Sequence, residues 1–257
     1  MTSNLQVKKL RFINADLLKL LATALMLVDH IGMIFFDSIS YETYWVLRKI
    51  GRLSMPLFAF AIAEGCRYTR NKPLHFAMLF GLGLICFFVY AIALDEIYYN
   101  ILITFSFSIV CIYALQFMKI SLCDKQSKLW QKICSPLLFI GAIALTYLFC
   151  YYNPVDYGFW GCMLPVFASL FDFHRVPAPT LLQKTDVLPL RVLSMAIGLI
   201  ILVFNTAFPA KVSAWSLLTI PILLLYSGKK GTWKLKYFFY LFYPLHLVLL
   251  QGLAWIL

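Results

Sequence analysis

Charge is what this chain has least of. Only 13% of its 257 residues are Asp, Glu, Lys or Arg, and just 11 are acidic. A soluble domain carries about 25% charged and about 45–50% apolar residues. With 62% hydrophobic residues and a mean hydropathy of +0.84, this chain cannot clothe itself in polar surface. That excludes a soluble globular domain and makes lipid its main solvent.

Other absences narrow the function. The seven cysteines, Cys66, Cys86, Cys111, Cys123, Cys134, Cys150 and Cys162, are odd in number, irregularly spaced and without a C-x-x-C pair. That argues against a disulfide framework or a zinc ribbon and leaves them as small hydrophobes. There is no Walker loop, no dinucleotide fingerprint and no His/Cys cluster with metal-ligand spacing. Nor is there an internal repeat, a low-complexity tract or a long linker, so residues 1–257 read as a single transmembrane domain. The first apolar run lacks a small-residue cleavage site and carries Asp29 and His30 deep within it, which fits a retained span rather than a signal peptide.

What the chain does have is apolar runs of membrane length. A helix needs about 20 apolar residues to cross the hydrocarbon core. That length gives spans at roughly 13–36, 44–64, 74–94, 98–118, 134–151, 157–172, 189–206, 212–227 and 237–257. The fold class expected is all-α: a polytopic transmembrane helix bundle of about nine spans with a cytoplasmic N-terminus. The sixth run is short and the eighth contains Pro221, so these are tilted, kinked or re-entrant; Pro56 predicts a kink in the second. Orientation follows from Lys and Arg. With the N-terminus inside, 17 of the 22 fall on cytoplasmic segments and only Lys211 falls outside. The 17 include Lys8, Lys9, Lys119, Arg175, Arg191 and Lys234, and the outer loops hold acids such as Asp95 and Glu96. A formal charge of +11 spread over short loops in this way orients a membrane protein and does not make a nucleic-acid patch.

Ionisable residues inside spans are the first place to look for chemistry, because each costs at least about 2.5–3.5 kcal/mol at the bilayer centre. The first span holds Asp29 and His30 in its expected outer half. The functional reading makes His30 a general base, with Asp29 fixing its tautomer or pairing a cation; the plainer one is a buried pair satisfied by Arg48 or Arg52. Arg48 and Arg52, four apart on one helix face, suit a clamp for an acyl carbonyl or a phosphate, or else snorkel to the interface. Glu64 closes the second span, followed by Arg67, Arg70 and Lys72, a basic set fit for an anionic cytoplasmic cofactor or for topology alone. His246, within FYPLH, is either a second base or a hydrogen-bonded structural histidine. His75 and His174 fall at loop edges, where solvation suffices. Asn100 and Thr104 suit hydrogen bonds between helices, and the DYGFWG tract suits a turn whose glycines allow close packing.

Several tracts together carry a resemblance. They are LVDHIGMIFF (27–36), RKIGRLSMPLFAFAIAEGCRYTRN (48–71), NILIT (100–104), DYGFWG (156–161) and YPLH (243–246). In this order they resemble the TraX family, known for acetylating the amino terminus of conjugative pilin. The resemblance implies a multi-pass acyltransferase of the bacterial cytoplasmic membrane and kinship with the acyltransferase-3 superfamily. The co-substrate implied is acetyl-CoA, and the acceptor an amine or hydroxyl on an extracytoplasmic protein or glycan. The family's Asp-His pair falls on Asp29 and His30, its Gly-Arg on Gly51 and Arg52, its Glu-Gly on Glu64 and Gly65, its Thr-Arg-Asn on Thr69, Arg70 and Asn71, and its late histidine on His246. The mechanism expected on that basis has the cofactor's phosphates near Arg67, Arg70 and Lys72. His30 is the base, Asp29 its orienter, Arg52 the oxyanion stabiliser and His246 the alternative acid or base. The partners expected are membrane lipids, acetyl-CoA and an acceptor, with no nucleic acid and no metal. A proton-coupled transporter or flippase using Asp29 and His30 as a relay is the competing class, disfavoured by the missing repeat symmetry. A purely structural assembly partner leaves the buried charges unexplained.

Overall fold

The structure, a computed structural model, describes residues 11–94, 97–206, 208–233 and 235–256. Lys8, Lys9 and Lys234, which entered the Lys and Arg count, and the outer-loop acids Asp95 and Glu96 lie outside the described residues. Among the described residues the regular structure is helical, with two isolated backbone bridges. The principal helices are α1 (Ala15–Ile34), α2 (Tyr41–Gly51), α3 (Ser54–Tyr68), α4 (Lys72–Leu94), α5 (Ile101–Cys123), α6 (Leu129–Tyr152), α7 (Gly158–Ser169), α8 (Leu188–Asn205) and α9 (Lys236–Ile256). Among the described residues, five stretches, α1, Lys72–Ile92, α5, α6 and α8, are long and apolar enough to cross a membrane, and Gly158–Ser169, Ala210–Leu224 and Leu241–Ile256 are shorter apolar helices. The chain therefore has the character of a multi-pass membrane protein.

Two of the expected spans are broken. The run 44–64 divides into α2 and α3 at Arg52–Leu53. Pro56 is not the cause. It sits in the first turn of α3, where an N–H would have no helical acceptor anyway. The run 212–227 divides into Ala210–Ser213, a 3-10 segment Ala214–Leu218 and Thr219–Leu224. Here the hydroxyls of Ser216 and Thr219 donate back to the carbonyls of Ser213 and Ser216, at 2.6 and 2.7 Å. Such i−3 bonds compete with the α ladder and favour the tighter helix.

The chain forms two compact units, one of Met1–Ala61 with Thr206–Leu257 and the other of Ile62–Asn205. In the first, α1 packs against α2, and α9 lies on α1. Asn14 caps α1 by accepting from the Leu17 N–H at 2.9 Å. Ser54 Oγ donates to the Ala22 carbonyl at 2.8 Å and pins the start of α3 to α1. Close approach of α1 and α2 depends on glycine: a Cβ at Gly51 would fall 2.3 Å from the Asp29 side chain.

In the second unit α5 packs against α4, α6 and α7, and α7 against α8. Buried hydroxyls and an amide join these helices, as expected where no hydrophobic force separates helix from lipid. Asn100 Nδ2 donates to the Gly83 carbonyl at 2.9 Å, Thr104 Oγ1 to the Asp156 carbonyl at 2.8 Å and Ser108 Oγ to the Cys162 carbonyl at 2.7 Å. The DYGFWG tract is the turn expected of it. Tyr157 and Gly158 have φ of 58° and 57°, and a Cβ at Gly161 would meet Tyr157 Cβ at 2.4 Å. All seven cysteines are free thiols, with Cys150 and Cys162 Sγ 3.8 Å apart.

Candidate functional site

The first unit holds two polar assemblies that share α1. Asp29 is buried and takes both arginines that the sequence offered it. Arg48 Nη1 donates to Asp29 Oδ2 at 2.8 Å, and Arg52 Nη2 to Oδ1 and Oδ2 at 3.1 and 3.0 Å. Arg48 also reaches the Asp29 carbonyl at 3.2 Å. Their spacing of four puts both guanidinium groups on one face of the helix end, over the Phe208 ring at 4.9 and 4.5 Å. Gly51, between them in sequence, supplies the space Asp29 occupies. Among the described ion pairs, two permanent cations thus meet one carboxylate in a buried site, where an apolar core would be cheaper to build.

One residue along, His30 Nδ1 and His246 Nε2 are 2.8 Å apart, while His246 Nδ1 is 2.8 Å from the Phe242 carbonyl. A carbonyl can only accept, so His246 carries its proton on Nδ1. A neutral His246 then presents a bare Nε2, which accepts from His30 Nδ1–H. The remaining nitrogen, His30 Nε2, is left with its lone pair. Phe242 stacks on His246 at 5.0 Å and 8°, which holds the ring plane. Asp29, expected to orient His30, is engaged by the arginines, and the hydrogen bond that orients His30 comes from His246.

The residues matched to a cofactor lie in or beside the second unit's ion network. Glu64 is buried and ion-paired with Arg191. Arg67 Nη1 meets Asp172 Oδ1 at 2.7 Å and Asp186 Oδ1 at 2.6 Å. Burial opposes its charge, but the hydrogen bond and charge of Asp186 and the charge of Asp172 outweigh that and raise the guanidinium above its ordinary pKa. Arg70 is exposed. Lys72 is half-buried with Nζ 4.9 Å from the Tyr113 ring centre. His75, expected to be solvated, hydrogen-bonds Tyr113 Oη at 2.8 Å, whereas His174 is exposed as expected.

Sequence reasoning passed over the partners in this network. Lys119 and Arg191 were counted as loop charges, yet both are buried. Lys119 Nζ donates to the carbonyls of Ser169, Leu170 and Asp172 at 2.8, 2.8 and 3.0 Å, closing the C-terminal end of α7. Asp172 and Asp186 come from a segment without a recognisable motif. The available signal was that each lies within a few residues of an apolar helix end, where a carboxylate needs a cation.

Comparison with known proteins adds the following. Residues 14–254 match the family model described as "TraX protein". A protein of Dichelobacter nodosus described as "Probable fimbrial assembly protein FimC, serogroup H1" is 30% identical over 243 residues, spanning 91% of this chain and 92% of its own. No solved structure matches the chain.

Proposed function

Because the chain belongs to the TraX family, we propose that it is a membrane-embedded acyltransferase that moves acetyl from acetyl-CoA to an amine or hydroxyl of an extracytoplasmic acceptor. A pilin-like peptide N-terminus is the favoured acceptor, given that the Dichelobacter relative is described as a probable fimbrial assembly protein. The location proposed is the bacterial cytoplasmic membrane, and kinship with the acyltransferase-3 superfamily belongs to the same reading.

The observation that carries it is the bonded chain from the Phe242 carbonyl through His246 to His30. It leaves His30 Nε2 as the proton acceptor. The thioester supplies the activated acyl carbon. As the acceptor nitrogen or oxygen bonds to that carbon, His30 Nε2 takes the acceptor's proton; as the carbon–sulfur bond breaks, His30 returns the proton to the departing sulfur. His246 holds the tautomer and spreads the positive charge while His30 is protonated. The guanidinium groups of Arg48 and Arg52, held by Asp29 beside His30 on α1, favour the negative charge that develops on the acyl oxygen. Arg67, Arg70, Lys72 and Glu64 remain assigned to the cofactor side of this reading. Glu64 and Arg67 serve there through their ion pairs, as positioning residues rather than free ligands.

The test is acetyl-CoA turnover by the full chain in nanodiscs beside His30→Ala. Binding by both proteins with turnover lost only in the variant supports the reading. Unchanged turnover in His30→Ala removes its base. Proton-coupled uptake of a solute without acetyl-CoA turnover would replace it with the transporter class.

A further inference from the structure

A pocket in the second unit is lined by Arg67, Lys72, Gln116, Asp172, His174 and Arg175, with Ile120 and Val176 completing it. Its charges are not all alike. Arg67 is matched by Asp172 and Asp186 and serves as a strut. Lys72 and Arg175 have no carboxylate partner among the described ion pairs. Lys72 is held over Tyr113 at 4.9 Å. Arg175 donates through Nη1 to the Thr69 carbonyl and through Nη2 to the Tyr68 carbonyl, both at 2.7 Å. Those bonds fix its plane at the end of α3 and leave three of its five N–H donors for a ligand. The His174 ring, 5.1 Å from Tyr68, adds a further polar edge. Among the described residues, two positive charges outside any ion pair thus line one concave site, beside the Arg67–Asp172 pair.

We infer that this pocket binds a phosphomonoester dianion, with Arg175 as the forked donor, Lys72 as the second cation and His174 as a supporting donor. A planar fork held at two points is suited to phosphate oxygens, and two cations match the charge of a monoester better than that of a diester. Arg175 and His174 come from the segment outside every recognised motif, so the inference extends the proposed cofactor side beyond Arg67, Arg70 and Lys72. It rests on the acyltransferase reading for the ligand's identity, the 3′-phosphate of acetyl-CoA, and not for the site itself. The same chemistry is offered by a phosphomonoester lipid.

The experiment measures binding of acetyl-CoA, acetyl-dephospho-CoA and adenosine 3′,5′-bisphosphate to the full chain in nanodiscs, for wild type, Arg175→Gln and Lys72→Gln. The expected result is that either substitution weakens acetyl-CoA and the bisphosphate about tenfold or more. Acetyl-dephospho-CoA, lacking the group read, should already bind weakly and lose no more. Equal losses for all three ligands would make Arg175 merely a helix anchor and overturn the site, and so would no loss in Lys72→Gln. Binding of the bisphosphate but not of acetyl-CoA keeps the site and removes the acyltransferase reading. Acetyl-CoA binding indifferent to the 3′-phosphate and to both variants does the reverse. Discs containing phosphatidic acid separate the sources: block of the bisphosphate by that lipid, lost in Arg175→Gln, assigns the site to a lipid phosphate.

Discussion

His30 and His246 are separated by 216 residues in sequence and by 2.8 Å between ring nitrogens. Their bond gives the two histidines unequal parts. His246 is held by the Phe242 carbonyl and holds His30; His30 has the free lone pair.

That inequality predicts unequal variants. His30→Ala should lower acetyl-CoA turnover about 100-fold or more with little change in cofactor affinity. His246→Phe, which keeps a ring but removes the acceptor for His30, should lower it less. Steady-state kinetics of acetyl-CoA turnover in nanodiscs reads both, and a deeper loss in His246→Phe would reverse the roles.

Asp29 should behave as the keystone of its cluster. Asp29→Asn strands Arg48 and Arg52 in a buried site, at a cost of about 3–5 kcal/mol. Adding Arg48→Met should recover part of the loss, since the remaining carboxamide then faces one cation. Thermal unfolding of the single and double variants in detergent checks this, and additive losses would show that the ion cluster is not coupled.

Gly51→Ala places a methyl 2.3 Å from Asp29. Either α1 and α2 part or Asp29 moves, at a cost of about 1–3 kcal/mol or more. A lowered unfolding temperature is the readout, whereas Gly141→Ala, inside α6 with nothing within 4 Å of its Cβ, should hold it or raise it.

Arg67→Ala should lose folded protein rather than cofactor affinity alone, because it strands Asp172 and Asp186. The triple variant Arg67→Ala, Asp172→Asn, Asp186→Asn should restore the yield of folded protein, as measured by monodisperse elution in detergent. Lack of any recovery would mean that Arg67 acts through something other than these carboxylates.

Cys150 and Cys162 test the packing of α6 on α7. Cys162 is fully buried against the part-exposed Cys150, so a maleimide should label Cys150 well before Cys162 in the folded protein, read as modified peptides in mass spectrometry. Equally fast labelling of Cys162 would contradict this packing.

Helix content and membrane character were legible in the sequence because both depend on the local density of apolar residues. Five of the expected runs emerged as helices of spanning length, and Asn100, Thr104 and the DYGFWG turn found the structural roles their residue types suit. Pro56 and Pro221 signalled that the second and eighth runs would not be straight, but the places of the breaks, at Arg52–Leu53 and in the 3-10 segment Ala214–Leu218, were not legible, since an apolar run looks the same whether its helix is continuous or tightened by hydroxyl bonds. The candidate residues themselves stood out as charges where charge is costly. Tertiary structure alone decided their partners: Asp29 with two arginines and not with His30, Glu64 with Arg191, and Arg67 with two aspartates from a segment without a motif. A sequence shows that a buried charge must be met by its opposite. Which of several opposite charges meets it depends on distances set by packing between residues up to 127 positions apart.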